Sequence, residues 1–435
     1  LDITIEKLIY GGEGLAHHDG STVFVPFVLP AERVVVEAVE QKKKFVRGRV
    51  ERILQAAPER VVARCPHFGI CGGCDYQHIP YEAQLKFKSE ILRETLRRIG
   101  KIEWGGEITT HGSPPWAYRN RAQWKVRPME TSGGDAASEP GADVGAKLGI
   151  GYFRANSTEL CAVEDCSIIS PLLLKTLLSL RAVLAAGGLP KGLREIEAFV
   201  DAADTKLLLT ATFAGFPSRA AEHAETFRKA VPEIASLLFH DPSRDRMELY
   251  GPGFVDYAAG GISYRVGHFS FFQVNRFLVE ELAREVAERE EVGRLAIDLF
   301  AGVGLFSIPL AKRFARVLAV ESNPAAARDL ETNMRGQGTI EVRSAEVEQF
   351  LKRNKERPEL VVLDPPRAGM TPESVERVCK LRPERITYVS CEPPTLARDL
   401  ALFVKAGYDC TEVHLFDLFP QTFHMETVVR LRKRG

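Results

Sequence analysis

A cysteine and a glutamate near the end of the chain carry the sharpest chemical signal. Cys391 lies in VSCEPPTLARDL (389–400) and Glu426 in FPQTFHMETVV (419–429). A thiolate is a strong nucleophile, and a nearby carboxylate can take a proton from the adduct it makes. A free cysteine is usually a small buried hydrophobe. Cys379 and Cys410 fit that bland description. Cys391 differs because it follows the apolar run ITYVS (386–390), between Ser390 and a turn stiffened by Pro393 and Pro394. LDPPRAG (363–369) sets Asp364 at the end of the preceding apolar run, and Glu426 stands where a further strand begins.

A second group of residues suits a nucleoside. In DLFAGVG (298–304) a strand turns into its helix, and Gly302 and Gly304 permit a tight turn and close backbone approach. The next strand, RVLAVE, ends in Glu321, which can accept both ribose hydroxyls of an adenosine. A dinucleotide fingerprint would need a third glycine where this chain has Ser307. Without that pyrophosphate signature the reading turns to S-adenosylmethionine, which carries no phosphate. A methyl donor beside a thiolate has a specific use. Uracil C5 is too poor a nucleophile to take a methyl group, but thiolate addition at C6 pushes electron density onto it. A carboxylate must then remove the C5 proton to free the cysteine.

The third constellation is CPHFGICGGC (65–74), with Cys65, Cys71 and Cys74 spaced C-x5-C-x2-C. Gly69, Gly72 and Gly73 let such a loop curl around a metal centre. Three thiolates need a fourth ligand, Cys161 or Cys166, and four thiolates suit zinc or a [4Fe–4S] cluster. Clustered thiols of this kind belong in a reducing compartment, so a cytoplasmic location is expected.

These residues need elements to hold them. The 435-residue chain has room for two or three domains and contains no apolar run of the roughly 20 residues a membrane helix needs. Its 58 basic and 58 acidic residues cancel, so nucleic-acid binding would rest on local patches. KKKFVRGR (42–49) and YRNRAQWKVR (118–127) are candidates, and Tyr118, Trp124 and Phe271 are candidate stacking aromatics. Residues 1–58 alternate like short strands, five of them, and predict an OB-like β-barrel. An amphipathic helix follows at 81–100, within a central α+β domain over 59–275 that would carry the cysteine loop. Its stretch TSGGDAASEPGADVGAK (131–147) reads as a flexible insertion. From 276 to 435 strands and helices alternate, which predicts an α/β, doubly wound, Rossmann-like domain binding its ligand at the strands' carboxyl ends.

DLFAGVGLFSIPLA, LDPPRAG, SCEPPTLARD and FPQTFHMETV together resemble the RNA uracil-C5 methyltransferase family, and the likeness runs almost the whole chain. IEKLIYGGEGLAHHDGSTVFVPFVLPAERV resembles the TRAM domain that precedes the ribosomal-RNA members. The resemblance implies Cys391 as nucleophile and Glu426 as the base. It implies Gln273, Phe300, Gly302, Glu321 and Asp364 around S-adenosylmethionine, with Phe271 beside the target base. It also implies a [4Fe–4S] cluster on Cys65, Cys71, Cys74 and Cys166, leaving Cys161 spare. The expected partner is structured RNA, 23S ribosomal RNA first and transfer RNA as the alternative, acted on by a monomer without a membrane; the alternative from another class is a non-catalytic iron–sulfur RNA-binding protein. Two departures stand out. Many members read SCNP where this chain has SCEPP, so Glu392 replaces an asparagine, and Leu305 stands where ribosomal-RNA members often have asparagine.

Overall fold

The structure is a computed structural model that describes residues 1–129 and 148–435, so the 131–147 stretch lies outside the described residues. Two compact units emerge: one of residues 1–63, 75–115 and 259–435, the other of residues 64–74 and 116–258.

The first unit contains an eight-stranded sheet. Its strands in chain order are β1 (Ile108–His111), β2 (Gly293–Leu299), β3 (Phe314–Glu321), β4 (Ile340–Ser344), β5 (Leu360–Leu363), β6 (Arg385–Ser390), β7 (Tyr408–Phe416) and β8 (Glu426–Lys433). Their spatial order is β4-β3-β2-β5-β6-β8-β7-β1. Strands β2 to β6 pair in parallel, as their continuous apolar sequences predict for strands buried on both faces. Order reverses between β2 and β5, which makes the carboxyl ends of these two strands the topological switch point. Strand β8 runs antiparallel between β6 and β7. One apolar cluster fills a face of the sheet, joining Ile297, Leu363, Ile386 and Tyr388 to Leu92, Val378 and Leu400 of the covering helices.

The N-terminal segment of this unit forms a six-stranded sheet over residues 2–55, one strand more than the sequence suggested. It has its own small core of Ile3, Ile5, Ala16, Val23, Val25 and Val34. The amphipathic helix spans Tyr81–Arg98 and ends just before Gly100.

The second unit is a seven-stranded sheet with two helices, Pro171–Ala185 and Ala220–Ala230. Leu193–Val200 and Leu207–Phe213 pair antiparallel, as their alternation predicts. Tyr118 and Trp124 correct an expectation here. Both are 0% exposed, inside the core of this unit, so neither can stack on a nucleobase. The adjacent cations are also engaged, Arg121 with Glu197 and Lys125 with Glu195.

Candidate active site

Strand register brings Cys391 and Glu426 near each other. In the antiparallel β6–β8 ladder Ser390 pairs with Thr427. Continuing that register by one residue sets Cys391 opposite Glu426, the first residue of β8. Cys391 is half-buried and Glu426 is 3% exposed. Burial, followed by the charges of Glu426, Asp364 and Glu392, pushes the thiol up to about 12, while Arg367 opposes. Burial, followed by the Asp364 charge, also raises Glu426 well above the usual carboxylate range, while Arg367 opposes.

The loops carrying these groups are tied to one another. The Ser390 hydroxyl accepts from the Glu392 amide at 3.1 Å. Thr395 Oγ1 lies 3.0 Å from the Glu392 carbonyl and 3.1 Å from that of Arg367, linking the two loops. Pro393 opens the following helix, Pro393–Lys405, where its missing N–H costs nothing. On the other side, the loop before Glu426 is anchored by the Tyr81–Arg98 helix. Lys88 Nζ donates to Asp417 Oδ1 at 2.6 Å and to the carbonyls of Phe419 (3.2 Å) and His424 (2.7 Å). Gln84 exchanges a pair of hydrogen bonds with Gln421, whose φ of 69° it helps to hold.

The cofactor-pocket residues gather at the switch point. Glu321 ends β3 and accepts from the Gly302 amide at 2.8 Å and the Asn323 amide at 2.7 Å, so its carboxylate is aimed before any ligand arrives. Gly302 has a φ of 56° and open space where a side chain would stand, which leaves its backbone approachable. Gly304 is required for a different reason: a Cβ there would lie 2.4 Å from Met334 Cε. Phe300 also takes a positive φ, 66°, an unusual conformation for its type. Asp298 and Asp364 end the neighbouring strands β2 and β5. Burial pushes each up to about 7, with Ser307 opposing the shift at Asp298 and Asp298 adding to it at Asp364. This partnership was not legible in the sequence: Ser307, in the place of the absent glycine, donates to Asp298 Oδ2 at 2.5 Å.

Helix Pro324–Asn333 locks the 264–275 segment to this pocket. Asp329 accepts from the Gly267 amide and the Ser270 hydroxyl, both at 2.7 Å, and Asn333 donates to the carbonyls of Val303 and Arg265. Gln273, on that segment, is 4% exposed, whereas Phe271 is 60% exposed and presents its ring outward.

In the second unit the cysteine loop folds against strand Leu148–Phe153. The Gly72 amide donates to Phe153 O at 3.0 Å, and Cys71 bridges to Arg154. Cys65, Cys161 and Cys166 are all electrostatic neighbours of Cys71, and burial followed by these thiols pushes it up to about 12. Backbone amides point at the sulfurs: Gly73 at Cys71, His67 and Phe68 at Cys65, Ile168 and Ile169 at Cys166. The spare Cys161 belongs to the same group and shares a hydrogen bond with Cys71. Four mutually facing thiolates would repel, so ionising them asks for a compensating cation.

Comparison with known proteins agrees with this geometry. The family described as tRNA (uracil-5-)-methyltransferase matches residues 256–434, and the TRAM domain matches residues 1–50. An uncharacterized RNA methyltransferase of Aquifex aeolicus is 33% identical over 99% of this chain and 98% of its own length. The 23S rRNA (uracil(1939)-C(5))-methyltransferase RlmD of Salmonella paratyphi A is 33% identical over 99% of this chain and 95% of its own. The crystal structure of Pyrococcus abyssi tRNA (uracil-54, C5)-methyltransferase in complex with S-adenosyl-L-homocysteine superposes with a TM-score of 0.74. It is 25% identical and covers 99% of this chain and 100% of that one.

Proposed function

The chain belongs to the RNA uracil-5-methyltransferase family and is an S-adenosylmethionine-dependent enzyme of that chemistry; from this premise we propose that it forms 5-methyluridine in 23S ribosomal RNA through a covalent Cys391 adduct. The observation that supports the mechanism is the β6–β8 ladder, which ends at Ser390 and Thr427, next to Cys391 and Glu426, with the Glu426 charge acting on the thiol. With its proton released to water, the Cys391 thiolate bonds to C6 of the uracil; the displaced electron pair makes C5 nucleophilic. S-Adenosylmethionine supplies the electrophilic methyl group for that carbon. Glu426 then takes the C5 proton, and the returning electron pair breaks the C6–S bond. Arg367, beside both groups, favours their charged forms.

Glu321 is placed to receive the ribose, with Gly302, Phe300, Asp364 and Gln273 completing the cofactor pocket. The aimed carboxylate and the open backbone at Gly302 fit such a ligand. Cys65, Cys71, Cys74 and Cys166 would hold a [4Fe–4S] cluster, whose positive irons would stabilise the thiolates. RNA as partner agrees with the TRAM domain, and the exposed Phe271 is available to stack on a base extruded from its helix. The ribosomal target follows the RlmD likeness across nearly the full length of both chains. No described helix is long and apolar enough to cross a membrane.

Two measurements test the reading. Glu426→Gln should accumulate a covalent RNA adduct on denaturing gels, because methylation proceeds and release stalls, whereas Cys391→Ala should give neither adduct nor product. Free product from the glutamine variant at the parental rate would remove Glu426 from its role. Mass-spectrometric mapping of 5-methyluridine in ribosomal and transfer RNA, with and without the enzyme, should show the gain in 23S RNA. A gain confined to transfer RNA would reassign the substrate.

A further inference from the structure

Tyr10 reaches the nucleophile's loop from the N-terminal sheet. Its hydroxyl donates to Glu392 Oε2 at 2.9 Å, and its ring meets Phe423 edge-on, centroids 5.4 Å apart at 90°. The turn that carries it is packed tightly. A Cβ on Gly12, whose φ is 85°, would lie 3.1 Å from Phe423 Cδ1 and 3.3 Å from Asp75 Cβ. Burial and Glu392 raise the Tyr10 phenol, so its hydroxyl keeps the proton it donates. Glu392 directly follows Cys391, and its carboxylate is one of the charges facing the thiol, with Glu426, Arg367 and Asp364. The Tyr10 hydroxyl is a neighbour of that thiol as well.

We propose that Tyr10 is a positioning residue that clamps the Glu392 carboxylate beside Cys391 and so keeps the nucleophile a thiol in the RNA-free enzyme. Its value for catalysis rests on Cys391 being the nucleophile. The state of the thiol can be read without that premise. A protonated sulfur resists alkylation and oxidation, so a clamp of this kind shields the reactive atom between turnovers. Without the hydroxyl, the half-buried Glu392 is free to turn to water, and its negative charge leaves the thiol.

The test is peptide-resolved iodoacetamide labelling of the full chain across pH, without RNA or cofactor. Tyr10→Phe keeps the ring contact with Phe423. It should label Cys391 about three- to tenfold faster at pH 8 and move the labelling profile to lower pH. Glu392→Gln should do the same, and the double variant should label no faster than Glu392→Gln alone. Cys379 and Cys410 should keep their parental rates in all three. The proposal is overturned by an unchanged or slower Cys391 rate in Tyr10→Phe. A full tyrosine effect persisting in the glutamine background, or a parallel rise at Cys379 and Cys410, overturns it equally. None of these readings depends on which RNA is methylated or whether Glu426 is the base.

Discussion

Two buried aspartates tie the cofactor end of the sheet to pH. Asp298 and Asp364 are each pushed up to about 7, from an ordinary value of 3.8, chiefly by burial. The folded chain therefore keeps protons that the unfolded chain releases above about pH 4. Their stabilising contribution is complete below that value and is lost as pH rises to about 7. Asp298→Asn stays neutral throughout and keeps an acceptor for Ser307. Relative to the parent it should gain on the order of a few kcal/mol between pH 4.5 and 7.5, read as a rising difference in urea midpoints. A pH-independent difference would mean that Asp298 is ionised in the fold. The same residues mark how much the sequence reveals at this scale. Cys391 and Glu426 were legible because each borders a strand whose apolar pattern is local. The Ser307–Asp298 bond and the Tyr10–Glu392 clamp were not, since each depends on a fold that brings separate loops together. Tyr118 and Trp124 were misread because a basic, aromatic run does not tell which strand face is covered.

Elements reach the site mainly through the helix Tyr81–Arg98. Lys88 in its sequence looks like one more solvated cation on a charged helix, yet it is 0% exposed and paired with Asp417, also 0% exposed. Its partner lies 329 residues away, which is why periodicity could not find it. The edge strand β1 escaped notice for the same reason: four residues from the middle of the chain pair in parallel with β7 to complete the catalytic sheet. The βα alternation after residue 276, by contrast, was plain because the parallel strands are short runs with largely apolar, buried centres, LVVL and RITYVS among them. Lys88→Met would leave the buried Asp417 carboxylate without its cation and take the donor from two carbonyls of the loop before Glu426. Breaking a buried pair in this way costs about 3–5 kcal/mol. The variant should unfold at lower urea and lose methylation, while binding of S-adenosylhomocysteine, measured by calorimetry, weakens little. An equal loss of cofactor affinity would show that the helix supports the whole sheet rather than this loop.

At the scale of the whole molecule, Cys391 and the cysteine group belong to different compact units. No proton or electron of the proposed reaction needs the second group, so the role proposed for it is architectural. In that unit the loop 65–74 is fastened by backbone bonds such as Gly72 to Phe153 and Ala155 to Ile70. Gly69 and its neighbours have no helix or strand to stiffen them. A metal cluster gripping Cys65, Cys71, Cys74 and Cys166 would replace that missing rigidity with four covalent anchors, three on the loop and one beyond strand Leu160–Ala162. Cys71→Ser removes one anchor and keeps the side-chain volume nearly unchanged. The protein should lose iron and its brown absorbance, and proteolysis should begin within 65–74. RNA affinity should fall several-fold, while single-turnover methylation at saturating RNA and the affinity for S-adenosylhomocysteine stay near the parental values. Retained iron would sink the ligand assignment. A collapse of single-turnover methylation with RNA still bound would mean that the cysteines serve the chemical step after all.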